Sequence, residues 1–240
     1  MSQPEYDHEW WKKAAAQKLN RKSSASRPPS GDSFLIVTEG TVTEPAYFNL
    51  LRDKLELGTV TVKVIPGEDS HPRHVISTAA KDAEELRKRA KKGKIGVNEV
   101  SSYDQIWAVI DSDVATRHNQ WNEVTNLAKS KKVQLAYSTP CFEYWVLLHL
   151  KYTTRPIEDG ESAKKLIEET FGQPYSTNED ETKQAFQQII VNWPEAVKRA
   201  KRVREHHEAG GTDIPANPST EVDHLVQLLN NAAPLHKQRL

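Results

Sequence analysis

Three acidic residues at two places carry the most pointed chemistry in this 240-residue sequence. Asp111-Ser112-Asp113 closes the run Gln105-Ile106-Trp107-Ala108-Val109-Ile110, and Glu39-Gly40 closes Phe34-Leu35-Ile36-Val37-Thr38. Short continuous apolar runs bounded by turn residues read as strands buried on both faces of a parallel sheet. In open α/β sheets, ligands lie beyond the carboxyl ends of the strands, which is where these carboxylates fall. Residues i and i+2 at a strand end can both turn toward one ion once the chain leaves the pleat. Such hard oxygen ligands suit Mg²⁺ or Mn²⁺. Three clustered acids without a cation would repel one another and take up protons. The plainer reading of Asp-x-Asp is a cap on the helix after a strand. The second acid, Glu39, followed by a glycine that permits a tight turn, tips the balance toward a shared ion.

The elements that must position these acids follow from periodicity and punctuation. Thr43-Glu44-Pro45 opens a helix through Tyr47, Phe48, Leu51 and Leu55, with Thr43 placed to cap it. A second strand spans Thr59 to Ile65 and ends at Pro66-Gly67; a helix from His74 to Ala90 puts Val75, Ile76, Ala79, Ala83 and Leu86 on one face. After the strand at 105–110, a helix from Trp121 to Ser130 leads to a strand from Val133 to Tyr137, and an apolar helix runs from Phe142 to Tyr152. This alternation implies an α/β fold with right-handed crossovers. From residue 153 onward no strand is expected. Helices are predicted over Ser162 to Phe171, Asp180 to Asn192, Pro194 to Ala209 and Thr220 to Asn231, with Asn217-Pro218-Ser219-Thr220 as a loop and cap before the last. The organisation expected is a basic arm and linker over 1–32, an α/β domain over 33–152 and a helical region over 153–240.

Composition bounds the remaining classes. Basic and acidic side chains balance at 33 each, so a global attraction for phosphates is absent. The basic residues are nonetheless clustered: Lys12 to Arg27 in the arm, with Trp10 and Trp11 before them; Lys88, Arg89, Lys91 and Lys92 at the end of a helix; Arg199 and Arg202 in another. Solvated helix faces account for many such clusters, and they stand as supporting candidates for nucleic-acid contact. No window reaches the roughly 18 apolar residues of a membrane span, and the start of the chain lacks a secretory apolar core, so the expected compartment is the cytoplasm. Cys141 is the single cysteine, which excludes an internal disulfide and a multi-cysteine zinc site. No Gly-x-x-x-x-Gly-Lys-Ser/Thr loop is present, so an ATP-driven step would need another protein.

Several blocks, in order, resemble the RloB-like family: residues 34–40 and 43–48, Ile106 to Asp113, Ala136 to His149, and Asn217 to Val222. The resemblance runs from about 33 to 231. Proteins of that family are similar to the AbiL second component and are linked to restriction and abortive-infection loci. The resemblance implies a Toprim-like catalytic domain, a mostly parallel sheet flanked by helices, as in topoisomerases, primases and OLD nucleases, where a strand-end Glu and a later Asp-x-Asp hold divalent metal. Carried over position by position, those residues are Glu39, Asp111 and Asp113. Thr139 departs from the pattern, which has Asn before Pro-Cys-Phe-Glu. A second ion would need a further acid, for which Glu143 and Glu44 are the candidates. Each has an alternative role as a charge near a helix start. His149, six residues after Glu143, lies off its helical face and reads as a packed histidine.

Under this resemblance the expected activity is that of a Mg²⁺- or Mn²⁺-dependent nuclease of an anti-phage system, working with an AAA- or ABC-type ATPase encoded nearby. Two other classes compete. A haloacid-dehalogenase-type phosphatase also places Asp-x-Asp after a strand, but it needs a downstream acidic pair, and no Asp-Asp follows residue 113. A non-catalytic adaptor would keep the fold for binding an ATPase and nucleic acid.

Overall fold

The computed structural model describes residues 32–64, 71–96, 99–113, 120–175, 178–212 and 214–240. The basic arm, apart from Asp32, and the Pro66-Gly67 turn lie outside these residues. The elements in order are β1 (Phe34–Thr38), α1 (Thr43–Lys54), β2 (Val60–Val64), α2 (Pro72–Lys91), β3 (Gln105–Asp111), α3 (Trp121–Lys131), β4 (Gln134–Thr139), α4 (Glu143–Leu150), α5 (Gly160–Phe171), α6 (Glu179–Ile189), a 3₁₀ turn (Ile190–Asn192), α7 (Trp193–Ala209), β5 (Ser219–Thr220) and α8 (Val222–Ala232). Among the described residues, no helix is long and apolar enough to cross a membrane.

The sheet order is β2-β1-β3-β4-β5, with the first four strands parallel and β5 antiparallel at the edge. The fold is α/β, its mostly parallel sheet flanked by helices and followed by a helical C-terminal part. Each central strand alternates between two cores, as a two-residue side-chain period requires. Phe34, Ile36, Trp107 and Val109 face a core shared with α1, α4 and the C-terminal helices. Leu35, Val37, Ala108 and Ile110 face a second core with α2 and α3. Strands buried on both faces are apolar at every position, which is why β1 and β3 stand out in the sequence. The helices after residue 153 therefore complete the first core. Helix α4 lies inside this layer with Glu143 to His149 all buried.

Two expectations are corrected. Thr43 does not cap α1: Val42 is the N-cap residue and no side chain bonds the first turn from that position. Ser219–Thr220, expected as a loop and cap, forms β5 against Thr139 and Ser138 of β4. Thr220 does both jobs, accepting the Val222 N–H at 3.2 Å while donating to the Tyr137 carbonyl at 3.1 Å. A two-residue strand has no periodicity to betray it. Asn217 clamps this loop to the segment before α5, its amide exchanging bonds with the Ile157 backbone at 2.8 and 3.1 Å.

Candidate metal centre

Strand order places the crossover reversal between β1 and β3: the chain steps from β1 outward to β2, then returns to the other side of β1. Crevices at such a switch point, beyond the carboxyl ends, are where open α/β sheets bind ligands. The register pairs Thr38 with Val109 and Asp111 with Ser138, so β1, β3 and β4 end at one rim. Glu39 extends the ladder by one bond, its N–H donating to the Val109 carbonyl at 3.0 Å. A one-residue slip would turn every side chain of β3 to the other face and take Asp111 away from α4.

Glu39 and Asp111 meet there. Glu39 Oε2 accepts the Asp111 backbone N–H at 3.2 Å, and Asp111 Oδ1 accepts the Phe142 N–H at 2.9 Å, just ahead of α4. The start of a helix favours an anion through its free N–H groups and dipole. Glu44 reaches back from the first turn of α1, its Oε1 accepting the Gly40 N–H at 3.0 Å. A Cβ on residue 40 would fall on the Glu44 carboxylate, which gives Gly40 a steric reason to be glycine.

The electrostatics tie five acids into one group. Burial, together with the Glu44 and Asp113 carboxylates nearby, pushes Glu39 up to about 8. Glu44 is raised by its own burial and by Glu143. Asp111 is driven well above the usual aspartate range, by burial first and then by Glu44, Glu39, Glu143 and Asp113. Among the described residues, the charges that act most on these three are carboxylates. Lys164 on α5 is felt by Glu143, but its ammonium is bonded to Glu161 at 2.8 Å. Cys141 borders the group; burial and Glu143 push its thiol far up, so it stays protonated.

The donor set fits a hard divalent cation by chemistry: carboxylates, three of them held by backbone N–H groups. Among the described residues, no three His, Cys, Asp or Glu side chains are already gathered closely enough to enclose an ion. One oxygen each of Glu39, Glu44 and Asp111 is turned onto a backbone N–H. Beside the Gly40 turn, a cavity of about 460 Å³ opens between α1 and α6, lined by Thr41, Val42, Pro45, Asn49, Asp53 and Lys183 among others.

The other candidates fall elsewhere. Helix α2 carries the chain back from the carboxyl rim to the start of β3, and its 20 residues span about 30 Å. Its basic end, with Lys88, Arg89, Lys91 and Lys92, therefore lies at the opposite rim from the acids. Arg89 there forms a two-pronged pair with Glu99, and Lys88 pairs with Glu84. Arg199 bonds the Leu148 carbonyl at 2.8 Å, at the end of α4, and Arg202 lies over the Tyr152 ring. His149 is a packed histidine: its ring nitrogens meet the Tyr47 hydroxyl at 3.1 Å and the Trp145 carbonyl at 3.0 Å, and burial lowers it to about 4. Thr139, the departure in the Pro-Cys-Phe-Glu loop, bonds the Ser112 hydroxyl at 2.6 Å. Tyr175, which no sequence motif marks, is buried in the core shared with α1 and α4, with the Thr43 hydroxyl as a hydrogen-bond neighbour.

A sequence model of the RloB-like protein family matches residues 34–229, most of the chain. No curated protein and no solved structure matches.

Proposed function

The chain belongs to the RloB-like protein family, and from that premise we propose that it is a metal-dependent nuclease that hydrolyses phosphodiester bonds of nucleic acid. The reading includes a Toprim-like catalytic domain related to the AbiL second component. The biological role proposed is the effector of an abortive-infection type of anti-phage system, with ATP hydrolysis supplied by a separate AAA- or ABC-type protein. One observation carries the chemistry: Glu39 and Asp111, 72 positions apart, meet at the switch point, where the Glu44, Glu143 and Asp113 carboxylates also act on Asp111.

In this reading Glu39, Asp111 and Asp113 hold Mg²⁺ or Mn²⁺, with Glu143 and Glu44 available to a second ion. Bound there, a divalent ion would polarise the phosphodiester and stabilise the charge that develops on its oxygens. The chain's own groups prepare the site. The Phe142 N–H fixes one oxygen of Asp111, and the Asp111 N–H fixes one oxygen of Glu39, so two carboxylates are oriented before any ligand arrives. Glu39, raised to about 8, holds a proton at neutral pH and gives it up when a cation takes its place.

The test is a cleavage assay with Mg²⁺ or Mn²⁺ on plasmid, linear and single-stranded DNA and on RNA, comparing wild type with Glu39→Gln and Asp111→Asn. Cleavage by wild type alone is expected. Equal cutting by all three proteins would remove the nuclease reading. Phosphomonoester hydrolysis lost only in Asp111→Asn would point to a phosphatase, and inactivity with tight binding to an ATPase would point to an adaptor.

A further inference from the structure

A single residue separates the two aspartates at the end of β3, and it is held by both its backbone and its side chain. Ser112 is fully buried, and the chain bends there as it leaves the strand. Its N–H donates to the Ser138 carbonyl at 2.9 Å, which carries the β3–β4 ladder one step past the pairing of Asp111 with Ser138. Its hydroxyl shares a 2.6 Å hydrogen bond with the hydroxyl of Thr139, the last residue of β4, which is buried as well. Thr139 is fixed in turn from its other side, where it pairs with Ser219 of β5.

Thr139 also begins the segment that leads into α4. Three residues further on, the Phe142 N–H donates to Asp111 Oδ1 at 2.9 Å. Segment 139–142 therefore grips the end of β3 at two successive residues, by a side chain at Ser112 and by a backbone N–H at Asp111. Two bonds to neighbouring residues fix a direction as well as a distance; the Phe142 bond alone would let the segment pivot about Asp111 Oδ1. Metal-ligating carboxylates depend on outer hydrogen bonds of this kind for their orientation, and affinity falls when those bonds are removed. A pair of hydroxyls suits the task because it is uncharged, so it adds orientation without a cation that would compete for the acids. A second buried hydroxyl brace gives the contrast: Ser33 Oγ donates to Asp104 Oδ2 at 2.9 Å, joining β1 to β3 at the opposite rim of the sheet.

We propose that Ser112 and Thr139 are a positioning pair of the metal centre, the hydrogen bond between their hydroxyls setting the direction in which Asp111 and Asp113 meet a divalent cation. The proposal rests on the metal reading above and adds two residues that are not carboxylates. The pair acts through the acids on either side of Ser112 and through the Phe142 N–H, so it sets how tightly the cation is held.

The experiment is Mn²⁺ titration of the full chain by calorimetry, with thermal unfolding of each protein in chelator to establish that it is folded. The variants are Thr139→Val, Thr139→Ser, Ser112→Ala, the double variant Ser112→Ala/Thr139→Val, Ser33→Ala and Asp111→Asn. Valine keeps the branched shape of threonine and removes the hydroxyl; serine keeps the hydroxyl. Thr139→Val and Ser112→Ala are each expected to bind Mn²⁺ at least about 10-fold more weakly. The double variant should bind no more weakly than the single ones, because both remove the same bond. Thr139→Ser should bind as wild type does, and so should Ser33→Ala, although it cuts a buried brace of the same kind. Wild-type affinity in Thr139→Val and Ser112→Ala, with binding lost in Asp111→Asn, would overturn the role of the pair and leave the metal centre standing. An equal loss in Ser33→Ala would assign the effect to a general loosening of the sheet and also overturn it. Absence of Mn²⁺ uptake by wild type would remove both the centre and the proposal.

Discussion

The molecule buries acids in two places and treats them in opposite ways. At the edge of the sheet, Asp223 is fully buried but gripped by both nitrogens of Arg204 at 2.6 and 2.7 Å, and the same guanidinium reaches the Thr220 carbonyl and His224. Beside it Glu221 accepts the Tyr137 hydroxyl at 3.3 Å, with His224 and Arg204 opposing the effect of its burial. At the carboxyl rim, Glu39, Glu44 and Asp111 each accept a backbone N–H, which carries only partial charge. Buried charges in proteins are normally paired or bound to metal. The first cluster is the paired kind, built from this chain alone, and it fastens β5 and α8 to β4. The second is held by backbone N–H groups at Glu39, Glu44 and Asp111, and the proposed function supplies its positive charge from outside.

That contrast can be broken in several ways. The largest effect is expected at the rim: Asp111→Asn or Glu39→Gln should reduce Mn²⁺-dependent cleavage by at least ~10³-fold while the protein stays folded. The opposite pattern is expected at the edge. Arg204→Met leaves Asp223 buried without its partner and should cost about 3–5 kcal/mol of stability in urea denaturation, with Mn²⁺ affinity of the folded protein unchanged. A loss of Mn²⁺ affinity in that variant would show that the two clusters are one unit.

The pH dependence separates them further. Glu39 has a folded-state value of about 8 against 4.5 unfolded, so the native state holds a proton that the unfolded chain releases between those values. Stability from this group is full below about pH 4.5 and is lost as pH rises through about 8. In chelator, denaturation at pH 5 and pH 9 should differ by on the order of 2–4 kcal/mol, the alkaline sample being weaker, and Mn²⁺ should restore it. A flat profile would mean that Glu39 is not held protonated by its burial and by the neighbouring carboxylates.

Smaller effects are expected from the surroundings. Gly40→Ala forces the Glu44 carboxylate aside and should lower cleavage about tenfold, with stability changed by less than about 1 kcal/mol. Replacing Lys88, Arg89, Lys91 and Lys92 with Ala should change cleavage less than about threefold, because the end of α2 lies at the far rim and its ion pairs are exposed. A large loss there would mean that substrate wraps the molecule from rim to rim.

What the sequence made legible follows from how each feature is encoded. Strands β1 and β3 are continuous apolar runs, so their ends, and the acids on them, could be located without coordinates; the register that brings Glu39 to the Asp111 N–H then comes from the parallel pairing. The basic clusters were visible as composition, but their position was not. A crossover helix runs antiparallel to its strands and carries its last turn away from the carboxyl rim. Strand β5 was hidden because two residues have no period, and Thr43 is no cap because the helix already begins there, with Val42 at the cap position. Tyr175 had no local signal at all. A lone tyrosine after α5 joins the core beside α1 and α4 only through the packing of the C-terminal helices onto the sheet.

The central claim is that the rim carboxylates are ligands awaiting a divalent cation. Crystals of the protein soaked in Mn²⁺, with the ion located by its anomalous scattering, test it most directly. The account predicts a manganese peak with carboxylate oxygens of Glu39 and Asp111 at about 2.0–2.2 Å. A fully soaked crystal with no ion within reach of Asp111, or with manganese bound only at other surface acids, would contradict it.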